Sequence, residues 1–198
     1  MANEVYAVVS PISGGAQAEA LTMWELLERR YGVRAARAAI HPHMTYVVGE
    51  GGDPQALAER LDVAASAAAP LTVTIDGLGI FCGPSPVIFL RVIHDAVLAQ
   101  LYARIVEAVR RAGLALWPHY APGTWVPHVT LALRDVPPAA LPAMLEDLGR
   151  RRSRFRTPIR DIRLVRVARP VSESVYIGAF PLGGEDEPRE HEDAKVGR

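Results

Sequence analysis

One five-residue pattern occurs twice in this chain. It consists of a proline, a histidine, an apolar residue, a threonine and a second apolar residue, at residues 42–46 and again at residues 127–131. Both copies lie in stretches rich in Val, Leu, Thr and Tyr, a composition typical of β-strands. Because successive side chains of a strand point to opposite faces, the histidine and threonine of each copy share one face. The sequence therefore predicts two strands, one presenting His43 and Thr45 and the other presenting His128 and Thr130.

The apolar residues of each copy predict a second, buried face on the same strands. By strict alternation these positions are Met44, Tyr46 and Val48 on the first strand, and Val129, Leu131 and Leu133 on the second. Each strand would then have one side for a hydrophobic core and one side that carries an imidazole and a hydroxyl group.

The segments after the two copies are also similar. Asp53-Pro54 begins a helical pattern with Leu57 and Leu61, and Pro137-Pro138 begins another with Leu141 and Leu145. A repeated strand, turn and helix predicts two similar lobes. We therefore expect an α+β fold of two pseudo-symmetric lobes of antiparallel sheet, with helices outside, that face each other across a central cleft. This domain would span residues 1–182, and the charged segment 183–198 would be a disordered tail.

The duplicated pattern resembles the two-histidine phosphoesterase superfamily, whose hallmark is a pair of His-x-Thr/Ser motifs on strands. The most similar branch is the 2′-5′ RNA ligase and cyclic nucleotide phosphodiesterase group. The likeness also includes residues 78–81 with the strand at 87–93, and a final strand that ends at residues 180–182. The resemblance implies a substrate with a 2′,3′-cyclic phosphate or a 2′-5′ linkage, in an RNA end or a small nucleotide.

The residues of the two motifs suit phosphodiester chemistry without a metal ion. Imidazole titrates near neutral pH, so one histidine can accept a proton while the other donates one. The hydroxyl groups of Thr45 and Thr130 can donate hydrogen bonds to the non-bridging phosphate oxygens. We therefore expect these four residues to be catalytic, with no cofactor, and the pattern leaves open which histidine is the acid and which the base.

Five further residues are candidates for binding the substrate. Tyr120, Trp125 and Phe81 could stack on a nucleobase, although core packing is the alternative for each. Arg91 interrupts an apolar strand and Arg134 follows the second motif strand, so either could bind phosphate. The basic run at residues 150–156 is interpreted as a solvated helix end and loop, with binding of an RNA backbone as the alternative.

Two other classes of function fit the same residues. One is a module that binds nucleotides or RNA ends without turnover, although intact histidines and threonines in both motifs favour an enzyme. The other is a metal-dependent hydrolase that uses His41 and His43, for which the neighbouring motif offers no Cys, Asp or Glu to complete a ligand shell.

The composition bounds the location and partners of the protein. Lys and Arg total 22 and Asp and Glu total 22, so a broad nucleic-acid footprint is not expected, whereas a locally basic cleft is compatible with this balance. The chain has one cysteine, no apolar run long enough to span a membrane and no signal-peptide pattern. The single cysteine favours a cytoplasmic location. The resemblance implies a nucleotide or an RNA end as the partner, and we expect the protein to be a monomer.

Overall fold

The computed structural model describes residues 4–39, 41–168 and 174–183. Within these ranges thirteen helices and strands follow one another, with 3₁₀ turns at Pro118–Tyr120 and Pro138–Ala140. In chain order they are β1 (Val5–Pro11), α1 (Gly14–Tyr31), β2 (His43–Glu50), α2 (Pro54–Ser66), β3 (Leu71–Phe81), β4 (Val87–Val92), α3 (Ala96–Arg111), β5 (Ala115–Leu116), β6 (His128–Ala132), α4 (Leu141–Gly149), β7 (Arg154–Ile159), β8 (Asp161–Val167) and β9 (Val175–Pro181).

The strands form an open antiparallel sheet with the order β7-β3-β4-β6-β2-β1-β8-β9, and β5 pairs with β2. The two motif strands, β2 and β6, are neighbours at the centre, where they align through the single pair Met44 and Val129. We call β2, β1, β8 and β9 the first lobe, and β6, β4, β3 and β7 the second lobe. The predicted α+β class with antiparallel strands and outer helices is confirmed.

The helices cover one face of both lobes. Helix α2 packs against β8 and β9 of the first lobe, and helix α1 packs against β6 and β7 of the second. The main apolar core lies between these helices and the sheet and includes Tyr6, Met44 and Val129. Asp53 and Asp95 begin α2 and α3, since their carboxylates accept hydrogen bonds from the backbone N–H groups of Ala56 and Leu98, both at 2.9 Å.

A β-bulge corrects the predicted faces of the first motif strand. Val8 pairs with Val47, but Val9 pairs with Thr45, so Tyr46 is an extra residue on β2. Tyr46 and Val47 are both buried in the main core, and Val48 turns to the face that carries His43 and Thr45. The prediction that Val48 lies on the core face was therefore wrong.

The end of the basic run is a strand rather than a loop. In β7, Phe155, Thr157 and Ile159 are buried and alternate with the exposed residues Arg154, Arg156 and Pro158. Proline is tolerated here because β7 is at the edge of the sheet. The interpretation of Arg154–Arg156 as part of a solvated loop was wrong. Exposed and buried residues alternate here as in a strand, although the number of arginines suggested a loop.

Two further expectations concern the end of the chain and the membrane. Residues 184–198 lie outside the described residues, so the disordered tail stays a prediction. Among the helices in the described ranges, none is long and apolar enough to cross a membrane.

Candidate active site

The central strand pair brings the four motif side chains together on one face. With Met44 opposite Val129, the antiparallel register places His43 beside Thr130 and Thr45 beside His128. The two histidines are diagonal neighbours in this two-by-two array, which corresponds to about 7–8 Å between their backbones. All four residues are partly exposed, on the face of the sheet opposite the main core.

Both imidazoles are oriented by the same local contact. Nδ1 of His43 lies 2.6 Å from the carbonyl oxygen of His41, and Nδ1 of His128 lies 2.7 Å from the carbonyl oxygen of Val126. A carbonyl oxygen can only accept, so Nδ1 carries the proton and donates it in both rings. In each neutral imidazole Nε2 is therefore the unprotonated nitrogen, which is the form that a general base requires.

A proline lies between each histidine and the carbonyl group that orients it. Pro42 and Pro127 favour an extended backbone at His41 and Val126, because the proline ring disfavours the helical region for the residue before it. Their own carbonyl oxygens accept hydrogen bonds from the backbone N–H groups of Ile12 and Val92, both at 3.1 Å. The proline of each motif thus fixes the direction from which the carbonyl group reaches the ring.

Burial lowers the pKa of both histidines below its ordinary value. Desolvation of the charged ring is the main cause for His43 and for His128. The backbone carbonyl partners oppose this shift, and the positive charge of His43 lowers the pKa of His128 further. Both rings therefore favour the neutral form at pH 7, and protonation of one makes protonation of the other less favourable.

Two tryptophans hold the backbone of the motif threonines. The indole N–H of Trp125 donates to the carbonyl oxygen of Thr45 at 2.9 Å, and that of Trp24 donates to the carbonyl oxygen of Thr130 at 3.1 Å. Within the described part of the chain, the hydroxyl groups of both threonines have no hydrogen-bond partner. Their backbones are fixed, and their hydroxyl groups remain available to a ligand.

Trp125 itself lies in the core, contrary to the predicted stacking on a base. Its side chain is 6% exposed and stacks on Tyr102, with ring centroids 4.1 Å apart and planes within 5°. A ring covered in this way offers no face to a substrate. We therefore assign Trp125 the role of supporting Thr45.

The aromatic neighbours of His128 are Phe81 and Phe89. The Phe81 ring meets the His128 ring edge-on at 5.1 Å between centroids, and Phe89 lies 4.9 Å from His128 and 4.4 Å from Phe81. Phe81 is 38% exposed, whereas Phe89 is buried. The structure thus brings Phe81, still partly exposed, against His128, and Phe89 is a contact that the sequence did not suggest.

The structure separates the two predicted arginines. Arg91 pairs directly with His128 across β4 and β6 and shares its face. Arg134 is exposed in a left-handed turn, with φ of 65°, four residues beyond Thr130 and past the end of β6. Arg91 is therefore placed beside the histidines, and Arg134 is not.

Four side chains line the first lobe on the face that carries the motif histidines and threonines, which we call the motif face. One is Tyr120, and the other three, Arg163, Tyr176 and His41, were not predicted to contact the substrate. Tyr120 packs against the small apolar cluster of Ala7, Val9, Val48 and Val165. The guanidinium of Arg163 lies 5.1 Å from the centre of the Tyr176 ring, and the His41 ring stacks on the same tyrosine with centroids 6.5 Å apart. Val9 pairs with both Thr45 and Arg163, so Arg163 lies two strands from Thr45 on the same face.

No cluster of three or more His, Cys, Asp or Glu side chains that could hold a metal ion occurs among the residues that the structure describes.

Comparison with known proteins agrees with this fold. Residues 13–170 match the family model described as the 2′-5′ RNA ligase superfamily. The protein TT0787 of Thermus thermophilus is 20% identical, covers 91% of this chain and 99% of its own, and has a TM-score of 0.62. E. coli LigT in its apo form is 17% identical, with coverages of 92% and 99% and a TM-score of 0.59. No match was found among curated proteins.

The family match extends over most of the chain, and the resemblance to two-histidine phosphoesterases is confirmed. The chain belongs to the 2′-5′ RNA ligase superfamily, which supports a phosphoesterase function.

Proposed function

We propose that this protein is a metal-independent phosphoesterase that acts on 2′,3′-cyclic phosphate or 2′-5′ phosphodiester bonds in RNA ends or small nucleotides. The observation that carries the proposal is the matched pair of histidines. Each has Nδ1 bound to a backbone carbonyl group and Nε2 left for proton transfer, and both lie on one face at the centre of the sheet. E. coli LigT, which has the same fold, has been crystallised with 3′-AMP and with ATP.

The reaction uses the two histidines in opposite protonation states. On a 2′,3′-cyclic phosphate, the neutral histidine removes a proton from water through Nε2, and the water oxygen forms a new bond to phosphorus. The bond from phosphorus to one ribose oxygen breaks, and the protonated histidine donates its Nε2 proton to that oxygen. The two imidazoles exchange roles when the reaction runs in the reverse direction.

The threonine hydroxyl groups and Arg91 stabilise the phosphate as charge develops on it. By the register of Met44 and Val129, Thr45 lies opposite His128 and Thr130 lies opposite His43, so each threonine is expected near the histidine of the other motif. Hydrogen bonds to the non-bridging oxygens strengthen as negative charge grows there. Arg91, beside His128, adds a permanent positive charge on the same face.

The test is turnover of a panel of nucleoside 2′,3′-cyclic phosphates and 2′-5′ dinucleotides in EDTA. We expect His43→Ala and His128→Ala each to lower kcat by about 10²-fold to 10⁴-fold, because each removes one proton transfer. The double variant should lose much less than the product of the two, since the residues act as a unit. His119→Ala, in the exposed 3₁₀ turn, is the matched control and should retain turnover.

Three results would contradict the proposal. Loss of activity in EDTA that Mg²⁺ or Zn²⁺ restores would show a metal-dependent hydrolase. Saturable binding of the panel without turnover would show a binding module. Near-normal kcat in His128→Ala would show that the reaction does not use the two histidines as a pair.

A further inference from the structure

The face that carries His128 continues across three more strands of the second lobe. Arg91 on β4 pairs with His128, and Arg154 on β7 pairs with Asp76 on β3. Arg91 and Asp76 are in contact, because Nε of Arg91 donates to the carbonyl oxygen of Asp76 at 3.0 Å. A continuous surface therefore connects the catalytic centre with the outer edge of the sheet.

Arginines dominate this surface. Arg91, Arg154 and Arg156 lie on it, and Arg152 lies at its edge with its guanidinium 5.0 Å from the Phe155 ring. We call these four residues the arginine strip. The whole chain has no net charge, so four arginines on one flank of the site are a local concentration of positive charge.

The positive charge of the strip is only weakly neutralised. Asp76 lies between Arg91 and Arg154, with nitrogen-to-oxygen distances of 3.9 Å to each. The side chains of Arg91 and Arg154 are 53% and 79% exposed. The interaction free energy of such long, solvated ion pairs is small. Arg156 has no ion pair within the described ranges, whereas Arg150 and Arg151 outside the strip pair with Glu146 and Glu19.

The strip is longer than one nucleotide needs. Three strand spacings separate β6 from β7, which is about 14 Å. A depression of about 800 Å³ lies at the far end, lined by Thr74, Phe155 and three of the arginines. A mononucleotide at the histidines would leave this depression empty, but the chain of an oligonucleotide could extend into it.

We propose that the arginine strip binds the backbone phosphates of single-stranded RNA immediately 5′ of the nucleotide whose phosphate lies at the histidines. This inference rests on the proposed function and narrows its substrate to an RNA end. Guanidinium groups suit phosphate because their donors form a planar fork, and they also stack on unpaired bases.

Protection of an edge strand does not account for the whole strip. Charged side chains on β7 would discourage pairing with another chain, and charges of either sign would serve. Arg91, however, lies on β4, which is two strands in from the edge. Arg91, Arg154 and Arg156 also lie on the face that contains the catalytic centre, and all three have the same sign of charge.

The experiment compares adenosine 2′,3′-cyclic phosphate with a short single-stranded oligoadenylate that ends in a 2′,3′-cyclic phosphate. We expect wild type to prefer the oligonucleotide in kcat/KM, and the preference to fall as salt rises. In Arg154→Gln/Arg156→Gln the preference should drop about tenfold at low salt. Loss of two phosphate contacts should also reduce the slope of log(kcat/KM) against log[salt] by about 1.4.

The matched control removes two arginines elsewhere. Arg29→Gln/Arg104→Gln changes the net charge equally on exposed helix surfaces and should keep the oligonucleotide preference. Equal kcat/KM for both substrates would contradict the proposal that the strip binds the RNA backbone. An equal loss of preference in both double variants would contradict it as well. If neither substrate were turned over, the proposed function would be wrong. Fluorescence anisotropy with the oligoadenylate would then decide whether the strip binds RNA.

Discussion

Gly79→Ala should impair catalysis through Phe89, whose ring lies between Gly79 and His128. Gly79 on β3 pairs with Phe89 on β4, and a Cβ atom at position 79 would overlap two carbon atoms of the Phe89 ring. Phe89 is 4% exposed and lies against both His128 and Phe81. The added methyl group must therefore shift the Phe89 ring, which is in contact with the His128 ring.

The size of the effect follows from packing. Inserting a methyl group into a filled site costs about 1–3 kcal/mol. Replacing glycine by alanine restricts the unfolded chain and returns about 0.4–1 kcal/mol. A net loss of about 1–2 kcal/mol corresponds to a decrease in Tm of about 2–8 °C for a domain of this size. Displacing a catalytic group by about 1 Å can lower turnover about 10²-fold, so we expect kcat to fall about 10-fold to 10²-fold.

The assay measures Tm and kcat on a nucleoside 2′,3′-cyclic phosphate, with the His128 imidazole followed by NMR. Gly178→Ala is the matched control, because a Cβ atom there would lie 2.6 Å from a carbon of the Phe180 ring. Phe180 is buried on β9, at the outer edge of the first lobe. Both variants should lose stability, but only Gly79→Ala should lose turnover and shift the His128 signals.

A normal kcat in Gly79→Ala, together with a lowered Tm, would refute the idea that Phe89 positions His128. An unchanged Tm in both variants would refute the packing argument itself. Phe89→Leu in the Gly79→Ala background supplies a further check, since it removes the overlapping ring atoms. The double variant should recover part of the lost stability.

Three other predictions concern the motif residues. Trp125→Phe should lower the free energy of unfolding by about 1–3 kcal/mol in urea titrations, because the Thr45 carbonyl loses its buried donor; an unchanged value would contradict this. Thr45→Val and Thr130→Val should each lower kcat less than either histidine change, since the proton transfers remain; equal losses would argue against that division of roles. The pKa of His43 and of His128 is lowered on folding, so the unfolded chain binds more protons below about pH 6.5. Stability should therefore rise as the pH rises toward about 6.5, and this rise should be smaller in His43→Gln/His128→Gln; an identical slope would contradict the lowered pKa values.

Local sequence was sufficient to predict the composition of the motif face. The i, i+2 spacing determines that His43 and Thr45 share a side, and the same holds for His128 and Thr130. The same rule failed at Val48, because a bulge adds a residue and reverses the alternation. A bulge depends on how β1 aligns with β2, and no pattern within β2 alone specifies that alignment.

Contacts from distant segments were harder to predict. Arg163 lies on β8, which comes from the other end of the chain and pairs with β1, and Tyr176 lies on β9, which pairs with β8. Trp125 precedes the second motif, which suggested a place near the substrate, but its indole extends to the Thr45 carbonyl on the other motif strand. These placements follow from strand order, which a single sequence does not reveal.

The proline-anchored histidines have a consequence for how far such a chain can diverge. Each ring is oriented by a carbonyl group only two residues upstream, so the correct tautomer is specified within a three-residue segment. Substitutions in the helices or outer strands leave these two hydrogen bonds unchanged, provided that β2 and β6 still pair. Selection can therefore act separately on the proton-transfer chemistry and on the surrounding surface. Substrate preference can then evolve by exchange of flanking side chains while the proposed acid-base pair stays the same.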